Sequence, residues 1–154
     1  MDTMAPIRPT VQRPRRISLS AGPAAAAEAR GQVQAAIRAW DVPVDSPVAV
    51  LLTSELVTNA IRHEAGEIVV LDITCDRDQL RVDVHDTSRS VPLPVDAPGD
   101  AETGRGLMLV SSLSTEWGYY RTRAGKAVYF TLAFQPDLDE TDDRGPRRDR
   151  SYVR

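Results

Sequence analysis

The sequence predicts an α+β domain, a two-layer sandwich with helices on one face of a mixed, mostly antiparallel sheet. Two segments with helical spacing of apolar residues come first, at Pro23–Trp40 and Pro47–His63. Two pairs of alternating strands follow, and each pair is joined by a turn too short for a crossover. Of the 154 residues, 42% are hydrophobic and 27% are charged, which is typical of one globular domain.

The first elements are a strand and two helices. Ile17–Ala21 is predicted as a short strand. Pro23–Trp40 starts with proline and continues with good helix formers, and its apolar positions mark one buried stripe. The second helix starts at Asp45, which can cap it, and Pro47 suits its first turn. It runs to about His63.

The rest of the chain predicts two hairpins, a loop and a short helix. Ile68–Asp76 and Gln79–Asp86 alternate apolar and polar residues and form the first hairpin. Thr87–Thr103 has four Pro or Gly and no period, a length at which loops are often functional. The remaining elements are a helix at Gly106–Leu113 and a second hairpin, Trp117–Arg123 with Ala127–Phe134, with Lys126 in its turn.

Composition predicts one folded domain, residues 17–134, between two polar tails. Residues 1–16 carry four Arg and three Pro, and residues 135–154 are polar throughout. Neither tail has enough apolar surface to offset the entropy of ordering, so both are predicted to be disordered.

Several functional classes are excluded by charge and cysteine usage. The net charge is −3, and the middle of the chain is its acidic part, which argues against nucleic acid as a direct partner. No apolar run approaches the roughly 20 residues that span a membrane. Cys75 has no second cysteine to pair with, and one Cys with two His disfavours zinc, so we expect a cytoplasmic protein.

Three features carry candidate chemistry. Helical spacing places Glu55, Asn59, Arg62 and His63 on one stripe, although such a stripe is also typical of a solvated helix face. Asp86 ends a strand and can accept a hydrogen bond from an amino group such as that of adenine, or it can simply form a turn.

The third feature is a pair of glycines in front of a predicted helix. Gly104 and Gly106 would let the backbone approach a phosphate at the helix start, or they form an ordinary helix-entry turn. The segment is not a Walker A loop, because no Gly-Lys-Ser/Thr follows.

Together these motifs resemble the histidine-kinase-like ATPases. The resemblance rests on SELVTNAIRH, VHDTS, GRGLMLV and the pairs Trp117-Gly118 and Gly125-Lys126, and it covers about residues 17–134. The most similar subgroup is that of the small serine kinases that act as bacterial anti-sigma factors, of actinobacterial type. The resemblance implies a Bergerat-type ATP-binding fold.

The resemblance also implies ligands and roles. ATP and Mg²⁺ would be the cofactors, with Asn59 on the metal, Glu55 as general base and Asp86 on the adenine amino group. Arg105 would contact phosphate or be an exposed lid residue. The residues implied around the nucleotide at the glycine motif are Gly104, Arg105, Gly106 and Leu107.

One position departs from the family pattern, since Ser88 stands where the family usually has glycine. The implied function is phosphorylation of an antagonist protein on Ser or Thr, together with sequestration of a sigma factor. The alternative is a nucleotide-gated interaction module without kinase activity, which Ser88 favours mildly and Glu55 disfavours. Relatives suggest a homodimer, and we expect no phosphoacceptor-histidine domain in a chain of this length.

Overall fold

The computed structural model describes residues 14–63, 67–90 and 101–135, except for the side chains of residues 63 and 101–105. The predicted tails and the long loop therefore lie largely outside the described residues. In chain order, the elements are β1 (Arg15–Ser20), α1 (Ala25–Trp40), α2 (Ser46–His63), β2 (Ile68–Cys75), β3 (Gln79–Asp86), α3 (Ala101–Leu113), β4 (Glu116–Arg121) and β5 (Lys126–Ala133).

The described strands form one five-stranded sheet in the order β1-β2-β3-β5-β4. All four pairings between neighbours are antiparallel, which confirms the predicted α+β class. Alternate residues of the strands join the helices in one core, in which Phe130, Leu71 and Leu52 are fully buried. Helix α2 packs against both α1 and α3 and lies over β3 and β5. It is therefore the central helix of the layer.

The start of α2 is as predicted, and its cap explains it. The Val48 N–H donates to the Asp45 carboxylate at 3.2 Å, so Asp45 caps the first turn. The buried face of α2 follows helical spacing through Ala49, Leu52 and Leu56. On the neighbouring α1, Arg30 donates to the Ser54 hydroxyl at 3.0 Å. This bond ties the two helices together beside the candidate motif.

The starts of β1 and α3 differ from the prediction, and the other element boundaries lie within two residues of it. Strand β1 begins at Arg15 rather than at residue 17, because Arg16 pairs with Asp72 of β2 at 2.7 Å and extends the ladder. Helix α3 begins at Ala101 rather than at Gly106, so the predicted loop ends earlier and the helix is longer.

A network of charged and aromatic side chains covers the face of the sheet that bears no helix. His85 contacts the Asp72 carboxylate at 2.9 Å and stands edge-on to the Tyr120 ring. The Tyr120 hydroxyl donates to Asp83 at 2.8 Å, and Arg81 donates to the same carboxylate. The hydrogen bond from Arg16 holds the pKa of the Asp72 carboxyl below its usual value. Each of these two aspartates is thus paired with an arginine of the sheet.

Candidate functional site

Helix α2 presents a carboxylate and a carboxamide one turn apart. Glu55 and Asn59 lie at the edge of the buried face of α2, and both side chains are half-buried. Arg62, one turn further along the predicted stripe, is exposed, and the side chain of His63 lies outside the described residues. The polar stripe therefore runs from half-buried to exposed along α2, and its half-buried part holds Glu55 and Asn59.

Glycine at position 106 brings α3 into contact with Glu55. A Cβ placed on Gly106 would lie 2.7 Å from Glu55 Oε2 and 3.6 Å from Glu55 Cβ, so the carboxylate occupies the space that a side chain would take. The structure therefore brings together Glu55 and Gly106, which the sequence separates by half the domain. The absence of a Cβ at Gly106 lets the Glu55 carboxylate lie against α3.

The rest of the glycine motif lies inside α3. The interpretation of Gly104-Arg105-Gly106 as a turn that precedes a helix is wrong, because α3 already begins at Ala101. The side chain of Arg105, and with it the predicted phosphate contact, lies outside the described residues. Leu107 is 2% exposed and belongs to the hydrophobic core, where it anchors α3. Within this motif, Leu107 packs in the hydrophobic core and Gly106 makes the close contact between α3 and α2.

Asp86 ends β3 on the face of the sheet that the helices cover. It has the same parity as the buried residues Leu80, Val82 and Val84, so strand alternation directs it toward the helices. Its side chain is only 1% exposed. It accepts the Ser88 N–H at 2.9 Å and the Lys126 ammonium at 2.9 and 3.0 Å. Asp86 therefore closes a short turn, which is one of the two roles that the sequence predicted for it. It is also a buried carboxylate paired with Lys126.

Ser88 fits the place where the family usually has glycine. It is buried, and its hydroxyl accepts the Ser90 N–H at 3.1 Å. Among the non-glycine residues of the described ranges, only Asp41 has a positive φ, so the backbone at Ser88 needs no glycine. The serine brings no backbone strain to this site.

The predicted position of Lys126 in the turn of the second hairpin is wrong. It is not in the hairpin turn, because it is the first residue of β5, it is buried, and it lies directly across from Asp86. The sequence did single out this residue, because Lys126 is the one lysine in an arginine-rich chain. Its partner, Asp86, is identified only by the register between β3 and β5.

The site residues also bear on metal binding. Within the part of the chain that the structure describes, no group of three or more His, Cys, Asp or Glu could hold a metal ion. A divalent cation here would take few protein ligands, which is how Mg²⁺ is bound when phosphates supply the other oxygens. The amide oxygen of Asn59 fits that arrangement.

None of the described helices is long and apolar enough to cross a membrane.

The site thus consists of a helix layer over an antiparallel sheet, a buried carboxylate at the end of β3, and a contact between Glu55 of α2 and Gly106 of α3. In comparison with known families, residues 19–132 match the histidine kinase-like ATPase domain, and the chain belongs to that family. The fold is accordingly of the Bergerat type, and membership implies ATP binding.

Two relatives show the extent of the similarity. The chain is similar to Blue-light-activated histidine kinase 2 of Erythrobacter litoralis, with 31% identity over 111 residues that cover 66% of this chain and 32% of the relative. Its fold is similar to that of the RsbU and RsbW domains of Rv1364c from Mycobacterium tuberculosis, with a TM-score of 0.58 and 21% identity over 81% of this chain and 33% of that one. The chain thus spans about a third of the length of each.

Proposed function

We propose that this domain binds Mg-ATP and transfers the γ-phosphoryl group to a serine or threonine of a protein antagonist, in a cytoplasmic, anti-sigma type of regulation. The observation that carries the proposal is the contact of the Glu55 carboxylate with α3 at Gly106. This contact places Glu55, a potential general base, beside α3. The family resemblance assigns the glycines of α3 to the nucleotide phosphates.

The nucleotide would lie between Asp86 and α3. Asp86 would accept a hydrogen bond from the adenine amino group, as its buried, anionic character favours. Because Asp86 is 1% exposed, the amino group reaches it only when covering atoms move aside. The backbone of α3 around Gly104 and Gly106 would face the phosphates, and Asn59 would supply an oxygen to Mg²⁺, which neutralises phosphate charge when bound.

Glu55 would act as the general base. In the transfer, the oxygen of the acceptor hydroxyl forms a bond to the γ-phosphorus, the bond from that phosphorus to the bridging oxygen breaks, and ADP leaves. The hydroxyl proton passes to the Glu55 carboxylate. A half-buried glutamate can reach such a group while it remains accessible to a protein substrate.

The regulatory partners would be a sigma factor and the antagonist that competes for it. Three exposed apolar side chains on α3, Met108, Leu109 and Leu113, support contact with a protein. The same observation favours a second candidate, a nucleotide-gated interaction module that sequesters its partner without phosphorylating it. The two candidates differ only in whether Glu55 performs chemistry.

Substitution of Glu55 tests the kinase directly. Candidate antagonists captured from the host extract would be incubated with γ-labelled ATP and wild-type protein or the Glu55→Ala variant. A base acts in the transition state, so Glu55→Ala should bind Mg-ATP within a few-fold of wild type and transfer phosphate about 10²-fold more slowly. The matched control is Glu28→Ala, which removes an exposed glutamate from α1.

The outcomes separate the candidates. Transfer at the wild-type rate by Glu55→Ala would contradict the assignment of the base. Wild-type protein that binds ATP and the partner but labels nothing would favour the interaction module. Absence of ATP binding would contradict both.

A further inference from the structure

We propose that Lys126 is a positioning residue for adenine recognition, which holds the Asp86 carboxylate so that Oδ2 is the atom left to accept an amino group. The inference rests on the proposed binding of ATP, and it assigns a role to a side chain outside the α2 and α3 motifs. It follows from the hydrogen bonds of the carboxylate, the burial of the pair and the backbone at Gly125.

The hydrogen bonds of Asp86 distinguish its two oxygens. Oδ1 accepts the Ser88 N–H at 2.9 Å and the Lys126 ammonium at 2.9 Å, so both of its lone pairs are used. Among the described residues, Oδ2 accepts a hydrogen bond only from the Lys126 ammonium, at 3.0 Å. One acceptor position of the carboxylate therefore remains, and it is on Oδ2. An adenine amino group is a donor that can use it.

Burial makes this geometry hard to change. The side chains of Lys126 and Asp86 are 6% and 1% exposed. A buried ion pair has little net effect on stability, but removal of one partner leaves an uncompensated charge at high cost. The carboxylate is thus confined to an orientation that satisfies both Lys126 and Ser88. An isolated aspartate at a strand end would be free to rotate.

Gly125 fixes the backbone on which the pair is built. A Cβ at this position would overlap the Asp86 carbonyl oxygen and would lie 2.6 Å from the Thr87 backbone. Only glycine allows β5 to start this close to the end of β3. The turn before it is closed by hydrogen bonds between Gly125 and Thr122, each 3.0 Å long. The Gly125-Lys126 pair therefore supports Asp86 through both backbone and side chain.

The wild-type protein offers a direct test because Lys126 is its only lysine. Protein labelled with ¹⁵N-lysine has a single side-chain ammonium signal, observed while Mg-ATP or Mg-purine riboside triphosphate is added. The second nucleotide lacks the adenine amino group. We expect ATP to shift the Lys126 signal more than the analogue does at equal saturation. Equal shifts from the two nucleotides would overturn the inference.

Variants test the same point by affinity. Wild type should bind ATP about tenfold or more tightly than the analogue, the effect of one charge-assisted hydrogen bond. Lys126→Met should reduce this preference at least fivefold, and Lys126→Arg should retain more of it. The control, Arg81→Met, breaks the ion pair with Asp83 on the same strand and should keep the wild-type preference.

The double variant Asp86→Asn/Lys126→Met covers the case in which Lys126→Met fails to fold. It removes both buried charges, so it should fold and bind both nucleotides equally. A folded Lys126→Met protein with the wild-type preference would overturn the inference alone. A double variant with that preference would overturn the inference together with the assignment of Asp86 to the adenine amino group. A wild-type protein without ATP binding would overturn the proposed function as well.

Discussion

Replacement of Gly106 by alanine should impair catalysis without a loss of stability. The new Cβ would lie 2.7 Å from Glu55 Oε2, so the carboxylate must retreat by about 0.8 Å to reach an ordinary contact of about 3.5 Å. An off-rotamer side chain costs about 0.5–1.5 kcal/mol, whereas alanine is favoured over glycine inside a helix by about 0.8–1 kcal/mol. The free energy of unfolding should stay within about 1 kcal/mol of wild type.

The effect on the reaction should be much larger. A catalytic group displaced by about 1 Å can cost about 10²-fold in rate. We expect a loss of this order in ATP hydrolysis, in which water replaces the protein acceptor, and urea unfolding measures stability in parallel. The control is Gly31→Ala in α1, where a Cβ meets nothing within 4 Å. That variant should gain stability and keep its activity.

A double variant shows whether the alanine acts through Glu55. In a Glu55→Ala background, Gly106→Ala should reduce hydrolysis little further, because the displaced group is already absent. Two results would refute the reasoning. One is wild-type hydrolysis by Gly106→Ala, and the other is an undiminished loss in the double variant.

Four further results are expected. Mg-ATP at about 100 times its Kd should raise the free energy of unfolding by about 2.7 kcal/mol, and an unchanged Tm at millimolar nucleotide would contradict binding. By calorimetry, Asn59→Ala should lose the Mg²⁺-dependent part of ATP affinity, and a retained Mg²⁺ effect would exclude it as a ligand. Asp86→Asn should weaken ATP binding about tenfold or more, and unchanged affinity would leave Asp86 a purely structural residue. Because Arg16 lowers the pKa of Asp72, the stability from that carboxylate is complete above about pH 4 and is lost as the pH falls through the lowered pKa. Asp72→Asn should flatten the acid side of the stability profile, and an unchanged profile would exclude this source.

Periodicity predicted most of the fold because the signals are local. Alternation located β2 and β3, and the Asp45 cap fixed the start of α2. The start of α3 could not be predicted in this way, because glycine is a poor helix former and Gly104 argues against a helix that begins before Gly106. The contact of Gly106 with Glu55 is a tertiary effect that local propensity does not contain.

The sequence predicted individual residues of the candidate site but not the contacts between them. Helical spacing placed Glu55 and Asn59 on one face, and the end of an alternating strand singled out Asp86. Lys126 was missed because its partner lies 40 residues away and depends on the register of two strands. The family resemblance supplied roles for side chains, whereas the ion pair needed the three-dimensional structure.

The burial of Lys126 has a chemical consequence for the whole molecule. Every other basic residue except two histidines is arginine, so the folded surface in the described ranges offers no primary amine to an acylating reagent. Apart from the amino terminus of the chain, amine acylation must wait until the strand ends at Asp86 and Lys126 separate. The acylation rate of this one side chain therefore measures how often that corner of the domain opens. A bound nucleotide that keeps the corner closed would protect the amine, and the protection could be followed by mass alone.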